Sequence, residues 1–398
     1  GIKPSPQEEN EQLVKVIKNA WNDWAESVQI DFYGRKDFYS LQRLIMRTVA
    51  MSGECLVRRI VKREKGALIP LKYQVLEPDY IDTAKDGMIY QGNEIRQGIE
   101  VDSDDRRVAY WLFKQHPGDN RTRFDLNSMR VPVAEIMHIY EEERAGQLRG
   151  VPFGVSSMIR LKDLDGYEDA QLIRQKIAAC FTAFVTNPLE GNPAMRQSSD
   201  ETQPDRIEPG RVEYLGAGET VTFGNPPEAQ NYDVYTKTVL KGIAAGFGVS
   251  YEAMTGDLSG VNFSSGRMGS LEFQRQLTDW QQDLIIPQFC KLAWNDFMRF
   301  LIIQGKVQTA SKATWTPPRR EMIDPSKEIK AMQEQVRNGF MSLPDMIQQL
   351  GGDPDVVMAE IAKANKLIDK YGLVLDSDAR ADVQRIIKEN SPKPSANE

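Results

Sequence analysis

Asp257-Leu-Ser-Gly-Val-Asn-Phe-Ser-Ser-Gly-Arg267 is the stretch on which the interpretation of the fold depends. Its only charges stand at its two ends, and its glycines and serines let the backbone bend and approach another surface closely. Phe263 is a large apolar side chain within this polar run. We therefore predict a loop over residues 253–268, whose Phe263 either packs into the core or lies against a partner.

Two short motifs, one before this stretch and one within it, resemble the central motif of lambda-type phage portal proteins: Gly248-Val-Ser-Tyr-Glu252 and Asn262-Phe-Ser-Ser-Gly-Arg267. Further blocks along nearly the whole chain resemble the same family and occur in the family's order. They are Gly146-Gln-Leu-Arg-Gly-Val-Pro-Phe153, Leu161-Lys-Asp-Leu-Asp-Gly-Tyr-Glu-Asp-Ala170, Lys176-Ile-Ala-Ala-Cys-Phe181, Asp324-Pro-Ser-Lys-Glu328 and Asn338-Gly-Phe-Met-Ser342. Family members usually have a longer N-terminal region, so a chain that begins at Gly1 is expected to be truncated or processed.

The resemblance implies an α+β fold, mainly α, that assembles as a ring. In the family's terms the expected parts are a mixed α/β wing over residues 1–153 (completed by about 291–322), a first stem helix over 154–186, a small β clip over 187–230, a second stem helix over 231–252, a channel loop over 253–268, a long kinked helix over 269–304, and a helical crown over 323–398 that ends in a disordered tail. The implied function is a DNA channel at one capsid vertex, used for genome packaging and ejection, without enzymatic activity, metal or cofactor.

The resemblance also implies partners and site residues. The partners are further copies of the chain, twelve in the ring, double-stranded DNA passing without sequence specificity, the large terminase subunit, a head-tail adaptor, and the major capsid protein or a scaffold, with no membrane. Assembly would take place in the host cytoplasm, and the mature location would be the portal vertex of the virion. Implied channel-facing residues are Val261, Asn262, Phe263, Ser264, Ser265 and Arg267. Implied docking residues of the clip are Glu190, Arg196, Asp200, Glu201, Asp205, Arg206 and Glu208, and implied subunit-interface residues of the stem are Ile173, Ile177, Phe181 and Phe184.

Composition agrees with a globular structural protein. The 398 residues suggest roughly two to three domains, and 40% apolar content can form a sizeable core. Mean hydropathy is -0.48, and the apolar clusters are too short to cross a bilayer. Three distant cysteines, each beside apolar residues, argue against a disulfide framework and for a reducing compartment. The net charge of -7 is unusual for a protein that grips nucleic acid but suits a channel through which DNA must slide.

Local patterns predict the elements. Residues 10–63 read as helical material followed by a strand over 53–61, and the acidic run at 102–105 reads as a hairpin turn rather than a calcium loop. Residues 156–186 carry apolar side chains at helical spacing, which predicts one helix about 46 Å long.

Residues 188–228 hold eight acidic and three basic side chains, a net charge of -5, and a predicted hairpin of 211–215 with 220–223. Basic residues at 58–65 are either a solvated strand end or a phosphate contact.

Two other function classes remain as alternatives. One is another structural head-tail connector or adaptor, although these are usually shorter and lack a channel loop between two long helices. The other is a carboxylate metal-dependent nuclease, for which Asp163, Asp165, Glu168 and Asp169 are the nearest candidates. On one helix these four would spread around the surface, which favours a solvated face. A phosphate-binding loop would need a lysine after its glycines, and none follows Gly242, Gly246 and Gly248. Close contact between helices explains these glycines better.

Overall fold

The computed structural model of the chain has two compact units, residues 1–150 with 277–398 and residues 151–276. The structure describes residues 1–63, 66, 69–119, 127–179, 183–186, 220–223, 231–318, 322, 324–373 and 375. The fold is mixed α+β and mainly helical, as predicted. No helix within these ranges is long and apolar enough to cross a membrane.

The first unit begins with a strand and two helices: β1 (Lys3–Gln7), α1 (Glu11–Ala25) and α2 (Phe38–Ser52). The Asn10 side chain accepts hydrogen bonds from two backbone N–H groups of the first turn of α1, and the Asp37 side chain caps α2 by accepting one, from the Ser40 N–H. Helix α2 ends at Gly53, whose φ of 86° is in the left-handed region that favours glycine. The predicted order of helical material followed by a strand is confirmed.

Two antiparallel sheets come next in the chain. Their strands are β2 (Glu54–Val61), β3 (Leu71–Leu76), β4 (Ile89–Tyr90), β5 (Asn93–Arg96), β6 (Ile99–Val101), β7 (Arg107–Phe113), β8 (Ser128–Pro132) and β9 (Ile136–Tyr140). One sheet has the order β3-β2-β9 and the other the order β4-β5-β6-β7-β8. Between β6 and β7 the Asp102 carboxylate accepts hydrogen bonds from the backbone N–H groups of Asp104 and Arg106, which confirms the predicted hairpin turn.

The first unit has two packed apolar clusters. One joins side chains of both sheets: Leu56, Leu76, Ile81, Ile99, Val101, Tyr110, Leu112, Val131 and Ile136. The other is aromatic and surrounds Trp21, which is 2% exposed and whose ring contacts those of Trp24, Phe38, Trp294, Phe297 and Trp315. This core therefore combines side chains from both ends of the sequence.

The second unit contains α3 (Met158–Ala179), β10 (Ala183–Thr186), β11 (Thr220–Phe223), α4 (Tyr232–Gly246), α5 (Tyr251–Thr255) and most of α6 (Phe263–Asp279). The prediction of one helix through residue 186 is wrong, because α3 ends at Ala179 and β10 pairs antiparallel with β11. The β-branched and aromatic residues of 183–186 suit a strand once this partner is supplied. The strand at 220–223 is confirmed, whereas its predicted partner, 211–215, lies outside the described residues.

Three helical segments follow one another along the chain after the loop. Helix α6 runs into a π-helix, Trp280–Cys290, and then into α7 (Lys291–Ile303). Pro287 lies inside the π-helix, where its ring and missing N–H disfavour a regular α-helical turn. A long kinked helix was predicted over 269–304; the helical segments start earlier, at Phe263, and end at Ile303.

The C-terminal part adds β12 (Lys312–Thr316), which pairs antiparallel with β1, and three helices, α8 (Pro325–Arg337), α9 (Leu343–Gln349) and α10 (Pro354–Tyr371). The side chains of Asp324, Ser342 and Asp353 cap these helices, and α10 ends at Gly372 in a left-handed conformation. A helical region was predicted over 323–398, and these three helices lie within it. The predicted disordered tail, residues 376–398, lies outside the described residues.

Candidate channel loop and its supporting helices

Helices α3 and α4 run antiparallel in close contact, since the start of α3 meets the end of α4. A Cβ on Gly246 would overlap the Ser157 hydroxyl, and one on Gly242 would overlap the Arg160 guanidinium. The Ser157 hydroxyl donates to the Ile243 carbonyl oxygen at 3.1 Å. Gly242 and Gly246 therefore permit helix packing, as predicted, whereas Gly248 lies after the end of α4 with a φ of 68°.

The segment between α4 and α6 is tied to its own neighbours. Ser250 caps α5 by accepting a hydrogen bond from the Ala253 N–H at 3.1 Å, and Gly256 ends that helix with a φ of 71°. The Asp257 carboxylate accepts hydrogen bonds from the Tyr251 hydroxyl at 2.9 Å and from the Ser259 hydroxyl at 2.6 Å. The motif at 248–252 thus contains the residue that caps α5 and the tyrosine that holds the start of the loop after it.

The non-helical loop is shorter than predicted. It spans 256–262, because α6 begins at Phe263, so Phe263, Ser264, Ser265 and Arg267 belong to the first turns of a helix rather than to a loop. Arg267 and Asn262 are exposed and Val261 is half-buried, while the side chains at 263–265 lie outside the described set. The correction has a local reason: the Asn262 carbonyl accepts from the Gly266 N–H at 2.9 Å, which starts the helix.

Helices α3 and α4 expose apolar side chains. On α3, Ile173 is 57% exposed and Ile159 is 75% exposed; on α4, Val234 is 64% exposed. The other predicted interface residues give a different picture. Ile177 lies on α3 but its side chain is not described, Phe181 lies outside the described residues, and Phe184 lies on strand β10 rather than on α3 or α4.

Comparison with known proteins gives the family. The sequence model described as phage portal protein, lambda family, matches residues 1–281. The chain belongs to this family. It is 27% identical over 378 residues to the probable portal protein of Halomonas phage phiHAP-1, covering 92% of this chain and 72% of the relative. It is 21% identical to portal protein B of Escherichia phage lambda, covering 89% of this chain and 74% of that one.

Among solved structures, the chain is similar to one from the virion of a native gene transfer agent particle, with a TM-score of 0.47 and 14% identity over 88% of this chain and 96% of that chain. It is also similar to an HK97 family phage portal protein from Corynebacterium diphtheriae, with a TM-score of 0.30 and 8% identity over 81% of this chain and 94% of that chain. Family membership makes the chain a structural component of the virion with a role in genome packaging, and not an enzyme.

The carboxylates considered for a nuclease are not brought together in this portal protein. Asp163, Asp165, Glu168 and Asp169 all lie on α3, spread around the helix, and none of them is buried. Within the described part of the chain, one group of side chains is spaced for a metal ion, and it lies elsewhere, at Glu77, Asp79 and His116.

The His116 ring in that group is engaged by hydrogen bonds. Its Nδ1 accepts from the Gly118 N–H at 3.0 Å, so the proton belongs on Nε2, which lies 3.0 Å from the Glu77 carboxylate. A metal on Nε2 would displace that proton and compete with the hydrogen bond to Glu77. The geometry therefore supports a hydrogen-bonded pair rather than a metal site.

Two further groups of predicted residues are those of the clip and the basic run at 58–65. The residues predicted for the clip all lie outside the described residues: Glu190, Arg196, Asp200, Glu201, Asp205, Arg206 and Glu208. In the basic run at 58–65, Arg59 pairs with Asp296 at 2.7 Å and Arg58 with Glu135 at 3.4 Å. These two arginines are therefore occupied by carboxylates within the chain, which favours the structural interpretation over a phosphate contact.

Sequence reasoning missed a buried polar network around Glu54. Its carboxylate accepts from Arg149 Nε at 2.6 Å, from the Gly150 N–H at 2.8 Å and from His138 Nε2 at 2.9 Å. Burial disfavours the charged carboxylate, but the hydrogen bonds from His138 and Arg149 outweigh it and lower the pKa of Glu54 to about 2. The available signal was Arg149-Gly150 in a family block, but its partner lies about a hundred residues away in sequence.

Proposed function

We propose that this portal protein forms a ring, a dodecamer by its family resemblance, around a channel for double-stranded DNA at one capsid vertex. The proposal rests on one observation: the second unit buries few of its apolar side chains and exposes many. Among its described apolar residues, only Leu164, Ile243 and Ala244 are buried, whereas both stem helices expose large apolar side chains. A helix with apolar residues on more than one face needs neighbours, and in a portal protein further subunits would supply them.

The proposed domain map follows the resemblance with the corrected boundaries. Residues 1–153, completed by β12, would form the wing, α3 and α4 the stem, and 324–398 the crown. The loop at 256–262 and the first turns of α6 would face the channel through Val261, Asn262, Phe263, Ser264, Ser265 and Arg267. The near absence of charge there supports weak contact with phosphates, which lets DNA move.

Residues 187–219, between β10 and β11, would dock the large terminase subunit and later the head-tail adaptor. Their acidic composition and scarcity of apolar residues support a surface for partners rather than a core. The crown would meet the capsid interior, with the major capsid protein or a scaffold as a further partner. The protein would be assembled in the host cytoplasm.

Ile173→Asp tests the ring. A carboxylate at this 57% exposed position costs little in a single chain but would be buried and unpaired between subunits, at about 3 kcal/mol or more per contact. Electron micrographs should show rings for the wild type and dispersed subunits for the variant, with unchanged helical circular dichroism. Gln175→Asp, which places the same carboxylate on the opposite side of α3, is the control and should leave rings intact. Rings that persist in Ile173→Asp would exclude this interface.

Replacing residues 188–218 by a short Gly/Ser linker tests the docking role. The replacement keeps β10 and β11, because these strands pair with each other. Rings should assemble and should fail to bind the purified large terminase subunit in co-sedimentation. Retained terminase binding would place the docking surface elsewhere, and loss of rings would show that the segment is needed for assembly.

A further inference from the structure

The Asp257 carboxylate joins three parts of the second unit. Its Oδ2 accepts the hydrogen bond from the Tyr251 hydroxyl on α5 at 2.9 Å and lies 3.6 Å from Lys237 Nζ on α4. Its Oδ1 accepts from the Ser259 N–H at 3.0 Å and from the Ser259 hydroxyl at 2.6 Å, within the loop itself. One side chain at the start of the loop therefore contacts a stem helix, the short helix and the loop.

The local sequence explains how these groups meet. Ser250 starts α5 and Gly256 ends it in a left-handed conformation, which turns the chain back so that Asp257 lies beside Tyr251. Thr255 supports the turn, since its hydroxyl donates to the Tyr251 carbonyl at 2.8 Å and accepts from the Asp257 N–H at 3.2 Å.

Helix α4 meets this group at two successive turns. Lys237 reaches the shared carboxylate, and Lys241 Nζ lies 5.8 Å from the centre of the Tyr251 ring. These lysines are four residues apart and so lie on one face of α4.

We infer that Lys237, Tyr251 and Asp257 form a clasp that holds the channel loop, residues 256–262, against stem helix α4. Only the location of the loop in the channel rests on the proposed function. The contacts of the clasp itself lie within a single chain. A loop held in this way would pass the drag of moving DNA to a stem helix instead of folding aside. The three side chains are positioning residues, and none of them needs to touch DNA.

The ion pair and the hydrogen bonds of the clasp should respond differently to salt. The Lys237 pair is partly exposed, at 50% for Lys237 and 29% for Asp257, so salt should screen it strongly. The hydrogen bonds from Tyr251 and Ser259 go to a charged acceptor and depend little on salt. The hydrogen bonds from Ser259 and Tyr251 also hold the pKa of the Asp257 carboxyl well below its usual range, so it remains an acceptor at ordinary pH.

Hydrogen-deuterium exchange of the purified full chain tests the clasp. Tyr251→Phe should raise exchange of the amides at 257–262 by about fivefold, the equivalent of one hydrogen bond, and Asp257→Ala should raise it further. Lys237→Met should act at low salt and have little effect at high salt. The matched controls are Tyr235→Phe on α4, whose ring contacts Tyr167, and Lys162→Met on α3.

The double variant Tyr251→Phe with Asp257→Ala gives the decisive comparison. If the two groups act on each other, it should exchange no faster than Asp257→Ala alone. Loop exchange in Tyr251→Phe equal to that in Tyr235→Phe, or fully additive effects in the double variant, would overturn the clasp. DNA packaging by the same variants is a separate readout. Faster loop exchange with normal packaging would support the clasp and contradict the loop's proposed channel role, whereas faster exchange with impaired packaging would support both.

Discussion

The first unit and the second unit satisfy their apolar residues in opposite ways. In the first unit, Trp21 is enclosed by five other aromatic rings and is 2% exposed. In the second, Ile159 and Ile173 on α3 are 75% and 57% exposed. The first unit therefore contains the interactions that stabilise it within a single chain, whereas the second presents surface that association could bury.

Trp21→Ala should cause the largest loss in the free energy of unfolding. Removing a fully enclosed aromatic side chain typically costs about 3–5 kcal/mol, because the cavity cannot collapse completely. Urea unfolding followed by circular dichroism should show this loss in the free energy of unfolding. Ile159→Ala, which removes an exposed apolar side chain, should change the same quantity by less than about 0.5 kcal/mol in dispersed subunits. Equal losses in the two variants would mean that the two units do not differ in this way.

Glu54→Gln should cause the next largest loss of stability, since it removes the charge to which Arg149 and the Gly150 N–H donate hydrogen bonds. A pKa lowered from 4.5 to about 2 corresponds to about 3 kcal/mol of stabilisation at neutral pH. This contribution is fully present above about pH 4.5 and is lost as the pH falls towards 2. Burial lowers the pKa of His138, so protonation of its ring in the unfolded chain already favours unfolding below about pH 6.5.

Acid titrations of unfolding separate these two groups. The wild type should lose stability in both pH ranges, whereas Glu54→Gln should lose much less between pH 4.5 and 2. Glu135→Gln is a matched control, because that carboxylate is 45% exposed and pairs with Arg58 at 3.4 Å. An identical acid slope in Glu54→Gln and the wild type would remove Glu54 from the account of stability.

The sequence predicted those features that depend on neighbouring residues. The hairpin turn at 102–105 was predicted because Asp102 and the backbone N–H groups from which it accepts lie within a few residues of each other. Strand β10 was missed because its partner, β11, lies more than thirty residues away, while its side chains also fit the helical spacing of α3. The Glu54 network was missed for the same reason, since Arg149 reaches it only through the fold.

For the loop at 256–262, one part of the prediction was right and another was wrong. Its position was predicted from composition and resemblance, but its length was not, because serines and glycines at 264–266 suggested a loop where α6 already begins. Asn262 before Phe263 was an available cap signal. The Tyr251–Asp257 contact lay within a short range of sequence, yet nothing in the residue pattern distinguished it from an ordinary exposed aspartate.

Gly246→Ala should have a moderate effect, confined to the contact of α3 with α4. A methyl group there would overlap the Ser157 hydroxyl and disturb its hydrogen bond to Ile243, at a cost of about 1–3 kcal/mol. Gly166→Ala on α3 is the control with the opposite sign, because its Cβ would enter open space and alanine favours a helix by up to about 1 kcal/mol. Thermal unfolding of the two variants should shift in opposite directions. Two shifts of the same sign would exclude close packing at Gly246.

Lys18→Met should have the smallest effect on the whole chain and a clear local one. Lys18 Nζ on α1 lies 2.8 Å from the Asp353 carboxylate, which caps α10, and 3.0 Å from Asp355. Because such partly exposed pairs contribute about 0–1 kcal/mol, global stability should barely change. The first turn of α10, however, should exchange its amide hydrogens faster, and the difference should shrink in high salt. Lys15→Met, an exposed lysine on the same helix, should leave α10 unchanged. If both variants leave α10 unchanged, the ion pair does not hold α10 to α1, and the hydrogen bond from the Ser5 hydroxyl to Asp353 at 3.1 Å is the remaining polar contact of this carboxylate with the N-terminal strand.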